Sequence, residues 1–144
     1  MSTIAFDGKM ISADRQASQD SWKYPATKLF RIRWNGFDCV LGVVGHYQDG
    51  LLVRDWLENG GDKPVVDKDT FAALLVKKGV CYRMEEKLIM WPVEAPHALG
   101  SGRDFALAAM ACGKTAEESV AIASQFDPGS GLGVDTIAIR SDIL

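Results

Sequence analysis

Ser2-Thr3-Ile4-Ala5-Phe6-Asp7-Gly8-Lys9-Met10-Ile11-Ser12-Ala13-Asp14 opens the chain as two short apolar runs joined by Asp7-Gly8. An Asp-Gly pair supplies the positive φ angles of a two-residue type I′ turn, so a β-hairpin is expected from strands at residues 2–6 and 9–13. A polar stretch over residues 14–21 carries no such pattern. A second strand pair, residues 28–33 and 37–44, flanks Asn35-Gly36, an equally strong turn signal.

From His46 the period lengthens. Leu51, Leu52, Trp56 and Leu57 recur at helical spacing, and Asn59-Gly60-Gly61 ends the run. A second helix is expected after Asp67 or Asp69, through the apolar run of residues 71–76 and stopping before Gly79. Residues 80–85, 88–91 and 97–100 read as strands, and the alanine-rich segment 103–112 as a helix ended by Gly113. Thr115-Ala116-Glu117-Glu118 is a capping box that opens a helix to about residue 126. A loop over residues 127–131 then leads to a last strand near 134–139. This order of strands and helices predicts helices on both outer faces of a double layer of sheet. With 144 residues and no repeat or linker, the chain reads as one domain over 1–144.

Sixteen Lys and Arg against 19 Asp and Glu leave a net charge of −3 with no basic block, which argues against nucleic acid. No apolar run approaches the ~18 residues a membrane span needs, and the N-terminus lacks a signal-peptide layout. Cys39, Cys81 and Cys112 lie far apart without a CxxC pair, which fits a reducing, cytoplasmic setting. The two histidines, His46 and His97, are distant from each other and from any cysteine, so neither a zinc site nor a Ser-His-Asp triad is expected. His97 follows Pro96 and reads as a packed or solvated ring. Gly113-Lys114-Thr115 fails as a phosphate loop, because Ala108 stands where the pattern needs glycine.

Six short motifs occur in a fixed order: Ser2-Thr3-Ile4, Ser12-Ala13-Asp14, Thr27-Lys28-Leu29, Gly42-Val43-Val44-Gly45, Leu99-Gly100-Ser101-Gly102 and Asp127-Pro128-Gly129-Ser130-Gly131. In this register the chain resembles the proteasome β-type subunits among the N-terminal nucleophile (Ntn) hydrolases, and looks most like the short bacterial proteasome-like peptidase that works with an ATPase ring. The resemblance implies an α+β fold, a four-layer αββα sandwich of two antiparallel sheets between helix layers. It also implies a peptidase without a cofactor, acting on peptide or unfolded-protein substrates in a homo-oligomeric ring beside an ATPase unfoldase.

The resemblance makes Ser2 the nucleophile, exposed once Met1 is removed. Such a residue carries hydroxyl and α-amine together, and an α-amine titrates near ~8, so it supplies the base that a histidine-poor chain lacks. Lys28 matches the lysine beside the nucleophile, and Asp14 the aspartate that pairs with it. Gly45 matches the glycine whose N–H faces the oxyanion. Ser101, Asp127 and Ser130 match positions that hydrogen-bond around the amine and the lysine. Read alone, Lys28 is a strand lysine, Asp14 a turn aspartate, and the last three are helix-end and turn residues. Serine stands where close relatives use threonine, and Thr3 leaves the choice of nucleophile open. His46 replaces a second glycine and is expected to line or crowd a pocket walled by residues around Asp20, 28–33 and 45–49. A non-catalytic scaffold subunit and a small-amide Ntn hydrolase stay open as alternatives.

Overall fold

The structure is a computed structural model and describes residues 2–139, so the expected removal of Met1 lies outside the described residues. In chain order the elements are β1 (Ile4–Phe6), β2 (Met10–Asp14), β3 (Gln16–Gln19), β4 (Trp22–Pro25), β5 (Leu29–Trp34), β6 (Phe37–Val44) and α1 (Tyr47–Asn59). They continue with β7 (Ala72–Lys77), β8 (Val80–Met84), β9 (Met90–Val93), β10 (His97–Leu99), α2 (Arg103–Ala111), α3 (Ala116–Phe126) and β11 (Val134–Ala138).

The strands form a four-stranded sheet, β10-β1-β2-β11, a five-stranded sheet, β5-β6-β7-β8-β9, and a two-stranded ribbon, β3-β4. All their pairings are antiparallel. Successive strand residues point to opposite faces, and in the five-stranded sheet both faces are buried. Leu29, Val40, Val44, Leu74 and Val76 pack against Ile4, Phe6 and Ile11 of the other sheet. Phe30, Leu41, Val43, Ala73 and Leu75 turn outward to meet Val53 and Leu57 of α1. On the far side, Ala5 and Ala98 meet Ala106, Met110, Val120 and Ala123 of α2 and α3. Three apolar seams thus separate four layers, α1, two sheets, then α2 with α3, which is the αββα sandwich expected.

Several local expectations need correction. Residues 71–76 form a strand, not a second helix: β7 lies between β6 and β8. Its apolar run is continuous because alternate residues serve two different seams, and Lys78-Gly79, both at positive φ (51° and 77°), is a hairpin turn rather than a helix end. On the first hairpin the turn centres on Gly8-Lys9, with positive φ at Gly8 (94°), so it is not the type I′ turn of Asp7-Gly8. The Asp7 carboxylate accepts the Lys9 and Met10 N–H groups instead. β9 begins two residues later than expected, because Leu88 takes a positive φ (59°) in the preceding turn and buries its side chain. In α1 the buried residues are Asp49, Gly50, Val53 and Leu57, while Leu51 and Leu52 face outward. The polar stretch after Asp14 is the β3-β4 ribbon, held by Ala26 N–H on the Arg15 carbonyl (2.8 Å) and by Trp22 against Tyr24.

Candidate active site

Ser2 lies one residue short of abutting β1, with Thr3 between, and Lys28 abuts β5, so the starts of two strands in different sheets bring them together. Asp14 ends β2, next to β1. These three residues are 2%, 5% and 0% exposed, a degree of burial that polar groups tolerate only when paired. Lys28 Nζ donates to Ser2 Oγ at 2.7 Å and to Asp14 Oδ1 at 2.8 Å. The other Asp14 oxygen accepts Gln16 and Gly131 N–H, both at 3.1 Å. Burial is the largest influence on Lys28 and pulls its pKa below the ordinary lysine value; the charge and hydrogen bond of Asp14, then the charge of Asp127, oppose it without restoring it.

A second carboxylate lies on the other side of Ser2. Asp127 closes α3 and receives Ser130 Oγ–H at 2.6 Å and Ser101 Oγ–H at 2.7 Å on one oxygen, and Gly129 N–H at 3.2 Å on the other. Burial pushes the Asp127 carboxyl up, but the two hydroxyls and the amide outweigh it and hold the group below the usual carboxylate range. Ser2 N–H in turn donates to Ser101 Oγ at 3.1 Å. The loop of Ser101 presses against this segment so closely that a Cβ on Gly100 would strike the Ser2 carbonyl.

Gly45 follows β6 at the start of α1, at φ 106° and with the Thr70 carbonyl where a Cβ would need to stand (2.9 Å). Thr70 is held there through Asp67. The buried Asp49 carboxylate of α1 accepts Asp67 N–H at 3.0 Å, and Asp67 Oδ2 lies 3.2 Å from His46 Nε2. Backbone hydrogen bonds from Asp69 lead the influences that lower the Asp67 pKa.

Ser2, Lys28 and Gly45 line one open cavity of about 620 Å³. Its remaining walls are Gln16, Ala17, Ser18, Gln19 and Tyr24 from the β3-β4 ribbon, Val43, His46, Tyr47, Gln48 and Thr70. The expected wall of residues 45–49 is present through Gln48 and includes His46. Of residues 28–33 only Lys28 lines the cavity, and Asp20 yields its place to the residues just before it. A second cleft of about 450 Å³ shares Gly45 and Thr70 and reaches Ser101, Arg83 and Arg103.

Six of the seven residues singled out from the sequence, Ser2, Asp14, Lys28, Ser101, Asp127 and Ser130, therefore meet in one hydrogen-bonded cluster, with Gly45 on the wall beside it. Thr3 Oγ1 is fully buried against Ser130 and does not line the cavity, whereas Ser2 does. Sequence reading missed Gln16 and Thr70 on the cavity wall, and only the turn residues around Asp20 hinted at the ribbon. Among the described residues no group of three or more His, Cys, Asp or Glu is placed to hold a metal ion, and no helix is long and apolar enough to cross a membrane.

The fold is that of the proteasome-like Ntn hydrolases. The structure of BPH from Thiobacillus denitrificans superposes with a TM-score of 0.74 at 18% identity, covering 96% of this chain and 97% of that one. HslV from Trypanosoma brucei gives 0.68 at 19% identity over 96% and 98%, and a Gly-1 mutant of Anbu from Hyphomicrobium sp. strain MC1 gives 0.71 at 12% over 99% and 82%. No family model matches the sequence, and no curated protein matches it.

Proposed function

We propose that this chain is an N-terminal nucleophile peptidase, with Ser2 as its nucleophile once Met1 has been removed. The observation that carries the reading is the 2.7 Å approach of the buried Lys28 Nζ to Ser2 Oγ on the wall of an open cavity. Because Lys28 donates to the Ser2 oxygen, it favours the alkoxide that attack on a carbonyl requires. Ser2 Oγ attacks the peptide carbonyl carbon while its proton passes to the freed α-amine through a water. The Gly45 N–H receives the developing oxyanion. The C–N bond then breaks, the amine returns the proton to the leaving nitrogen, and water hydrolyses the Ser2 ester. Ser101 and Asp127 hold the Ser2 nitrogen, and Asp14 holds Lys28. Cofactors play no part in this chemistry.

The substrates in this reading are peptides or unfolded proteins, presented within a homo-oligomeric, ring-like assembly in the cytoplasm and delivered by an ATPase unfoldase. Anbu from Pseudomonas aeruginosa, which shares the fold, is a helical assembly, and BPH was captured with epoxomicin. The test compares wild type with Ser2→Ala. Intact mass is expected to show loss of Met1, casein and short fluorogenic peptides to be cleaved by wild type alone, and epoxomicin to leave an adduct on the peptide that begins at Ser2. Equal turnover by Ser2→Ala, or quantitative retention of Met1 in an active preparation, would sink the assignment.

A further inference from the structure

Thr3 joins the two halves of the cluster. Its amide N–H donates at 3.0 Å to Asp14 Oδ1, the oxygen that also accepts Lys28, and its hydroxyl lies 2.7 Å from Ser130 Oγ. The hydrogen bonds then close a ring: Ser2, Lys28, Asp14, Thr3, Ser130, Asp127, Ser101 and back to Ser2.

The direction of each proton in one half follows from donor counting. A serine hydroxyl has one proton, and Ser130 gives its proton to a carboxylate oxygen that can only accept. The Ser130 oxygen therefore accepts from Thr3 Oγ1–H. By the same count Ser101 spends its proton on Asp127 and accepts the Ser2 N–H. Both serines aim at Asp127, with the Thr3 hydroxyl at one end of the series and the Ser2 nitrogen at the other. Room for this hydroxyl is built into the backbone, since a Cβ on Gly102 would collide with Thr3 Oγ1 and stand 3.2 Å from Asp127 Oδ2.

We propose that Thr3 is a positioning residue: with the proton order fixed by the Asp127 carboxylate, its hydroxyl completes the series at Ser130 and braces the carboxylate that takes the Ser101 proton, leaving the Ser101 oxygen to hold the Ser2 nitrogen. Donation by Thr3 polarises the Ser130 O–H and strengthens its bond to the Asp127 carboxylate. The Asp127 charge is among the influences that raise the pKa of Lys28, and Asp14 pairs with Lys28 on its other side. The catalytic side of this inference rests on the peptidase reading, while the proton order does not.

The experiment uses the full chain with carbon-13 labelled aspartate and follows the Asp127 carboxyl through an acid titration. Thr3→Val keeps the shape and removes the hydroxyl, Thr3→Ser keeps the hydroxyl, and Thr3→Ala is a second deletion should valine not fold. The Asp127 midpoint is expected to rise by roughly half a pH unit in the deletions, with Thr3→Ser matching wild type. In a Ser130→Ala background, deleting the Thr3 hydroxyl should move the midpoint no further. A midpoint unchanged by the deletions, or one raised equally in Thr3→Ser, would overturn the proposal. In peptide turnover the deletions should lower kcat about tenfold at constant KM, with Thr3→Ser restoring it. If no form cleaves peptides but the Asp127 shift is present, the peptidase reading fails and the proton order stands.

Discussion

Lys28 Nζ stands 2.7 Å from Ser2 Oγ, with the buried Asp14 carboxylate 2.8 Å from the same nitrogen. An ammonium in this place lowers the cost of forming the serine alkoxide and simultaneously neutralises a carboxylate that is wholly buried. Lys28→Met should separate these two effects. It is expected to cost about 3–5 kcal/mol in chemical denaturation, because it strands a buried charge. Peptide turnover should fall by about 10²–10³ in kcat/KM. Lys28→Arg should rescue neither, since the planar guanidinium cannot occupy the same point between the two oxygens. A Lys28→Met protein with unchanged turnover would remove Lys28 from the chemistry.

Gly45 offers a test of the proposed oxyanion contact. At φ 106° with the Thr70 carbonyl 2.9 Å from any added Cβ, alanine forces the segment to move. Gly45→Ala is expected to lower kcat about 100-fold with KM little changed, and to cost about 1–3 kcal/mol of stability. Gly36→Ala is the control, with a similar φ of 79° and open space for the methyl. It should lose stability and keep full activity; a Gly45→Ala protein that behaves the same way would refute the role.

The cavity makes a statement about substrates through what lines it. Its walls carry Lys28 and His46 and no carboxylate among the described residues. A basic side chain seated there has no partner for its charge and pays for its lost hydration. Peptides presenting Arg or Lys to the cavity should be cleaved about tenfold or more slowly than those presenting Gln or Leu. Gln48→Glu is expected to narrow or reverse that gap. A peptide panel in which Arg ranks first for wild type would contradict the reading of the walls.

His97 predicts an acid sensitivity unconnected with the active site. Burial, and then the neighbouring Arg83 charge, hold its pKa below 6.5. Arg83 donates through Nη1 to His97 Nε2 at 3.1 Å and pairs through Nη2 with Glu85 at 2.9 Å, so the folded protein favours the neutral ring. As pH falls below 6.5 the unfolded chain takes up this proton before the folded one does, and stability drops until the folded pKa is passed. In His97→Gln that part of the decline should vanish in denaturation midpoints measured between pH 7 and 5. An identical slope in both proteins would count against it.

Much of the sandwich was legible because its first hairpin, the Asn35-Gly36 turn and the Thr115 capping box are local signals. β7 was not, because residues 71–76 face two seams at once, and a strand buried on both faces shows no alternation. The β3-β4 ribbon was hidden for the opposite reason: its residues are mostly exposed and polar, so no apolar rhythm marks them. The site residues were legible only through the order of short motifs. Their distances were not, since Ser2 and Ser101, or Thr3 and Ser130, are brought together by the pairing of β1 with β10 and of β2 with β11.

That same strand order assembles the candidate site from segments far apart in the chain. β1 and β2 precede the other described strands in the chain, yet their outer partners are β10 and β11, which follow the rest. A chain that stops before Ser130 retains Ser2 but lacks the Ser130 hydroxyl and the loop that seats Asp127 against Ser101. On the proposed peptidase reading, a fragment cut short in this way carries the nucleophile without the hydrogen bonds that hold its nitrogen.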